Sequence, residues 1–167
     1  LFDSLVAIET LYQRNPRVAA ETLDDLIAFL RVALPRLRDS GSTLADEFAL
    51  VQAYARVLAG LHEGAPRLSL DLPAALATRH FAPMLLLPLL QRAAREAVPA
   101  DLRLSARHEG TRLEAELEFA QAGLCRDDEA LARVRERLAG LYGARARLDC
   151  SEQAARTRLT ISVDDDA

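Results

Sequence analysis

Pro66-Arg67-Leu68-Ser69-Leu70-Asp71-Leu72 is where the chain changes period. Leucine at every second position describes a strand with one apolar face, because successive side chains of a strand point to opposite sides. Before this stretch the apolar residues recur with helical spacing. After it, strand and helix patterns alternate. The chain therefore divides here into a helical region, 1–62, and a mixed region, 66–167.

Upstream, Leu1, Leu5, Ile8 and Leu11 form one helical stripe that Asn15-Pro16 interrupts. Asn15 can cap the next helix, with Pro16 at its first position, where a missing N–H costs nothing. That helix carries Leu23, Ile27, Leu30 and Leu34 on one stripe, widened by Leu26, Phe29 and Val32. A face this broad suits contact with more than one neighbour. After the loop Ser40-Gly41-Ser42, Thr43-Leu44-Ala45-Asp46 is an N-terminal capping pattern. Leu44, Phe48, Val51, Ala55 and Leu58 continue it as a third helix, ending near His62-Glu63-Gly64.

Downstream, Pro83 to Ala97 reads as a buried helix with Pro88 inside or near its first turns. Leu102 to Arg107 and Arg112 to Phe119 alternate as strands joined by the hairpin signal His108-Glu109-Gly110-Thr111. Asp127 to Tyr142 is a helix ended by Gly143, and Arg145 to Cys150 and Arg156 to Val163 supply two last strands. Asp164-Asp165-Asp166 is a polar end. The fold class is α+β: helices that can form a bundle, then a mixed sheet with helices on one face.

The 167 residues are 50% apolar and 28% charged, the composition of a folded chain able to bury a core. A net charge of −4 argues against a nucleic-acid grip by bulk electrostatics. The longest apolar run, Met84 to Leu90, is broken by Pro88 and falls short of the ~20 residues a bilayer needs. All 21 basic residues are Arg, a bias of GC-rich bacterial genomes. Cys125 and Cys150 fit neither a CxxC motif nor a disulfide framework, so a reducing cytoplasm is the expected setting. His62, His80 and His108 stand alone, without zinc-ligand spacing, and no Walker loop, Gly-x-Ser-x-Gly or HExxH motif is present. Leu1-Phe2-Asp3-Ser4 has no initiator Met and no signal pattern, so an excised piece of a longer chain is expected, with any membrane anchor upstream.

Three short segments resemble one family in the right order. Leu1-Phe2-Asp3-Ser4-Leu5 is similar to the tail of the His-Phe-Leu-Phe-Asn-Ser-Leu phosphoacceptor motif of LytS-type sensor histidine kinases. Phe81-Ala82-Pro83-Met84-Leu85-Leu86-Leu87-Pro88-Leu89-Leu90 resembles the run leading into that family's N box. Val134-Arg135-Glu136-Arg137-Leu138 and Leu141-Tyr142-Gly143 resemble its C-terminal segment. The resemblance implies a helical dimerisation and phosphotransfer region followed by a GHKL ATPase-like α/β sandwich. It also implies a homodimer through residues 1–36 and a LytTR-type response regulator as partner, with no direct nucleic acid. The expected location is the cytoplasmic part of an inner-membrane protein.

The nucleotide boxes depart from the family pattern. Where an acidic residue and the Mg²⁺-binding Asn should stand, the chain has Gln91-Arg92, although Arg95 keeps a basic position. A guanidinium in place of an oxygen ligand repels a metal ion. The Asp-Asn-Gly box reads Gln121-Ala122-Gly123, and the following Gly-x-Gly reads Asp128-Glu129-Ala130. Arg92 is open between a salt-bridge arm that mimics or blocks a ligand and a solvated helix residue. Arg135, Glu136 and Arg137 read as an exposed helix face laced with i,i+4 pairs, with phosphate contact, as in an active relative, the other option. Asp127-Asp128-Glu129 reads as acidic residues at a positive helix end, with a metal site as the other option. The family's phosphoacceptor His aligns upstream of Leu1, so no catalytic residue and no metal ligand is expected within the chain.

These departures imply a member like the AlgZ (FimS) subgroup, with no cofactor expected: a pseudokinase or phosphotransfer and docking protein in two-component signalling. The alternatives are an active kinase holding Mg-ATP in a rearranged site built on Gln121 and nearby arginines, and a purely structural dimerisation module.

Overall fold

Asn15 separates two helices, α1 (Phe2–Arg14) and α2 (Pro16–Arg36), and its Oδ1 accepts the Val18 N–H at 3.3 Å. The computed structural model describes residues 2–36, 41–62, 66–96, 100–126 and 128–164. Leu1, Ser40, Glu63, Gly64, Ala97 and Asp127, which the sequence reading assigned to helices and loops, lie outside them, as do residues 165–167. Helix α3 (Leu44–Leu61) opens on a full capping box. Thr43 Oγ1 accepts the Asp46 N–H at 3.3 Å, and the Asp46 carboxylate accepts the Thr43 N–H at 2.9 Å.

The second region runs β1 (Arg67–Asp71), α4 (Ala74–Ala77), α5 (Leu86–Glu96), β2 (Asp101–Glu109), β3 (Arg112–Phe119), α6 (Glu129–Tyr142), β4 (Ala146–Gln153) and β5 (Arg156–Asp164). A 3-10 turn, Gly143–Arg145, links α6 to β4. The sheet order is β1-β2-β3-β5-β4, with β1 parallel to β2 and the other pairs antiparallel. This is the α+β architecture read from the sequence. Leu104, Leu117 and Ile161 point from the sheet into one core with Phe48 of α3, Leu90 of α5 and Val134 of α6. The other face is charged: register pairs Arg107 with Glu114 and Glu118 with Arg158, and their side chains meet at 2.6 and 2.9 Å.

Local details differ from the sequence reading for identifiable reasons. Helix α5 starts at Leu86 rather than Pro83, and Pro88 falls in its first turn, where N–H groups have no intrahelical acceptor. Strand β1, one of the two edge strands of the sheet, buries little, with Leu70 41% exposed. The β4–β5 turn uses Ala154 and Ala155, both at positive φ (51° and 59°), the backbone of a type I′ hairpin without its usual Asn-Gly.

Helix α3 belongs to two cores. Leu44, Phe48, Val51 and Leu58 pack toward the sheet, while Leu50 and Val57 join Ile8 of α1, Ala19, Leu26, Phe29 and Ala33 of α2, and Leu87 of α5. The inward face of α2 is thus Leu26 and Phe29, whereas Leu23, Ile27 and Leu34 of the expected main stripe are 40%, 40% and 56% exposed. Leu5, Val6 and Tyr12 of α1 are also exposed. Among the described residues no helix is long and apolar enough to cross a membrane.

The α2–α3 contact depends on Gly60, where a Cβ would lie 2.1 Å from Thr22 Oγ1. Gly60→Ala is expected to cost about 1–3 kcal/mol in urea unfolding by overpacking. Gly140→Ala, in α6 with nothing within 4 Å, should gain about 0.5–1 kcal/mol. Equal effects at the two positions would contradict this packing.

Candidate functional site

Leu89, Arg92 and Ala93 lie at i, i+3 and i+4 on α5, so Arg92 is carried on the helix face that the leucines bury. Its side chain is 3% exposed, and each of its three nitrogens donates a hydrogen bond. Nε donates to Asp128 Oδ2 at 2.5 Å, Nη1 to the Leu124 carbonyl at 2.7 Å and Nη2 to the Arg126 carbonyl at 2.9 Å. Of the two readings of Arg92, the solvated residue is excluded. Asp128 is also the N-cap of α6, its Oδ1 accepting the Leu131 N–H at 2.9 Å. Burial pushes the Asp128 carboxyl up, but the Leu131 N–H, Arg92 and the Ala130 N–H outweigh it and hold the group below the usual aspartate range.

A second charge organises the approach to α5. Glu47 of α3 is 1% exposed. Its Oε1 accepts the Met84 N–H at 2.6 Å, and its Oε2 accepts those of Leu85 and Leu86 at 3.0 Å each. A carboxylate at the positive end of α5 satisfies donors that the helix cannot. Met84 sits at φ +62°, a strained conformation for a side-chain-bearing residue, and these bonds help hold it. Burial pushes the Glu47 carboxyl pKa up, against the pull of the three N–H groups and Arg137. The Ala82 N–H donates to Tyr142 Oη at 2.7 Å and Arg137 donates to the Pro83 carbonyl at 3.0 Å, so α6 grips the same segment. Arg137 is therefore not only a member of a solvated charge lattice.

The connection from β3 to α6 is fastened at several of its described residues. Thr157 Oγ1 donates to the Gln121 carbonyl at 2.7 Å, and Glu152 Oε1 accepts the Gly123 and Cys125 N–H groups at 2.9 and 3.0 Å. Gly123 needs its glycine, at φ +89°. Cys125 is disulfide-bonded to Cys150, which corrects the expectation of two unpaired thiols. The residues are 25 apart in sequence, but α6 turns the chain back so that β4 passes beside the connection, leaving the Cα atoms 5.5 Å apart.

Arg92, Arg95 and Glu96 of α5 face Asp128, Glu129, Ala130 and Arg133 of the α6 start across an open cleft of about 250 Å³. The cleft thus unites Arg92, Arg95, Asp128 and Ala130. Gln121, Ala122 and Gly123 lie outside it, at the far end of the connection, and half-buried Gln91 does not line it. Three cations oppose three carboxylates, and Arg133 is paired with Glu129 as Arg92 is with Asp128. Small-molecule pockets run to about 300–1,000 Å³. The two ion pairs engage Arg92, Asp128, Arg133 and Glu129, and exposed Arg95 and Glu96 supply one further cation and one further carboxylate at the rim. Among the described residues, no group of three His, Cys, Asp or Glu side chains is placed to hold a metal ion.

Sequence reasoning missed Glu47, Glu152, Thr157 and the bridge. Glu47 had a usable signal: it lies between Leu44 and Val51 at i+3 and i−4, a carboxylate on an apolar stripe. Gln121 Oε1 is buried with no hydrogen-bond partner.

Arg92→Met should lower stability by about 2–4 kcal/mol, mostly from leaving the Leu124 and Arg126 carbonyls unpaired, since the partly exposed Asp128 is screened by solvent. Asp128 has a depressed pKa, so its ion-pair contribution is present above about pH 4 and lost as pH falls through the folded value. The gap between wild type and variant in urea midpoints should therefore narrow on acidification to about pH 3. A gap unaffected by acid would mean the pair adds nothing.

No protein-family model matches the sequence, and no curated protein matches it. Among solved structures, the chain is similar to the Acinetobacter baumannii histidine kinase AdeS, with TM-score 0.55 and 16% identity, covering 95% of this chain and 84% of that one. It is also similar to a histidine kinase from Burkholderia phymatum STM815, with TM-score 0.51 and 17% identity, covering 98% of this chain and 86% of that one. At such identity the likeness speaks for the architecture: the chain has the fold of a histidine kinase, N-terminal helices followed by an ATPase-like α/β layer.

Proposed function

We propose that this chain is the dimerisation and ATPase-like part of an atypical sensor histidine kinase, acting in two-component signalling without orthodox Mg-ATP binding. The observation that carries the reading is the Arg92 guanidinium, buried and bonded at all three nitrogens, at a position that the sequence resemblance aligns with the family's N box. A guanidinium cannot be deprotonated and cannot ligate a cation. To admit Mg-ATP, it would have to leave Asp128, the buried Leu124 carbonyl and the part-buried Arg126 carbonyl, a cost the neutral cleft does not return.

In this role the helices would pair with a second copy and the α/β layer would dock a response regulator, of LytTR type by the sequence resemblance. The exposed apolar side chains of α1 and α2, Leu5, Val6, Tyr12, Leu23, Ile27 and Leu34, support the pairing. The proposed location is the cytoplasmic side of a membrane protein. The second reading, an active kinase with a rearranged nucleotide site, is favoured by one observation, the buried acceptor Gln121 Oε1 that lacks a partner.

Calorimetric titration with ATP and ADP, with and without Mg²⁺, tests the proposal. The expected result is no saturable heat and no thermal stabilisation at millimolar nucleotide. Saturable binding would support the second reading, and Gln121→Ala would then locate the site. Sedimentation of the same sample should show a dimer, and a monomer at micromolar concentration would remove the pairing of α1 and α2 from the account.

A further inference from the structure

We infer that the Cys125–Cys150 bridge is a thiol–disulfide switch that sets how firmly the β3–α6 connection is closed beside the α5–α6 cleft. The inference rests on the reading of that cleft as a degenerate nucleotide site in a cytoplasmic protein. The bridge joins the middle of the connection to β4 and encloses the whole of α6, whose N-cap is Arg92's partner. Both cysteines are half-buried, Cys150 packing against the sheet core, so neither residue is sealed in the interior.

The fold does not depend on the bridge. Leu124 is fully buried beside Cys125, Glu152 holds the Gly123 and Cys125 N–H groups, and Arg92 holds the carbonyls of Leu124 and Arg126. A chain of this size with two apolar cores has no need of a covalent staple, and persistent disulfides are unusual in a reducing cytoplasm. Two states follow. In one the connection is tied covalently to β4, and in the other it is held by Arg92, Glu152 and Thr157 and by buried Leu124, non-covalent contacts that open more readily.

The interconversion is exchange with a small disulfide such as oxidised glutathione. One cysteine thiolate attacks a glutathione sulfur, breaking that S–S bond, forming a mixed disulfide and releasing one glutathione thiolate. The second cysteine thiolate then displaces the other glutathione, forming the Cys125–Cys150 bond. Two electrons pass from the protein dithiol to the glutathione disulfide, and two reduced glutathione molecules leave. Excess reduced glutathione runs the same steps backwards.

The test equilibrates the folded protein in mixtures of reduced and oxidised glutathione, quantifies the bridge by alkylation and mass spectrometry, and follows hydrogen exchange. A switch titrates between the two forms while the protein stays folded. Amides of residues 121–126 should exchange about tenfold faster in the dithiol form, while those of Leu104, Leu117 and Ile161 stay unchanged. Cys125→Ser/Cys150→Ser should reproduce the dithiol pattern in both buffers. A bridge reduced only on global unfolding would overturn the inference in favour of a fixed staple, as would a bridge that never forms or equal exchange in the two forms. None of these readouts uses nucleotide, so saturable ATP binding would defeat the proposed function without touching this result.

Discussion

Arg92 is the contact on which the site depends. A single buried guanidinium ties α5 to the cap of α6 and to two carbonyls of the segment before it. A rigid fork of N–H donors is well suited to such a junction, and a desolvated cation is tolerable here because each of its three nitrogens donates to an oxygen. The same bonds that close the junction also occupy it. A side chain that would serve as a defect in a nucleotide pocket is here a structural keystone, and Asp128 with the Leu124 and Arg126 carbonyls completes its shell.

Glu47 plays the complementary part on the other side of α5. Its carboxylate receives three consecutive N–H groups, and it does so from a helix that packs into both cores. Met84 and Leu87, beside and just after those N–H groups, touch the core of α1 and α2, while Leu86, Leu89 and Leu90 touch the sheet core. A shift of α1 and α2 relative to the sheet is met first by α3, on which α2 packs. It reaches the start of α5 through Glu47, Met84 and Leu87, with Arg92 one turn and a half further along α5. The arrangement connects the helical pair to the α5–α6 cleft through α3 and one short, well-packed helix.

The elements were largely legible because they are set by local chemistry. Thr43 and Asp46 announce the start of α3, Gly143 the end of α6, and the alternating leucines of 102–119 the hairpin. What escaped depends on tertiary neighbours. No local pattern brings Cys125 to Cys150, because α6 lies between them. Ala154-Ala155 lacks the composition of the tight turn it makes, and the position of β1 at the sheet edge is a matter of strand order. For the candidate site, the residues at the α5–α6 junction were identifiable from position, but whether Arg92 faced solvent or protein depended on the helix's rotation. The buried stripe of leucines around it held that information, as the stripe around Glu47 did.

The most direct measurement is the ¹⁵N–¹H resonance of the Arg92 Nε, assigned by loss in Arg92→Met and followed as Mg-ATP is added to millimolar concentration. Bonded to Asp128 and shielded from water, this N–H should exchange slowly enough to be seen at neutral pH, and should neither shift nor broaden with nucleotide. A rapidly exchanging signal, or one that moves saturably with Mg-ATP, would contradict the claim that the guanidinium has taken the place of the ligand.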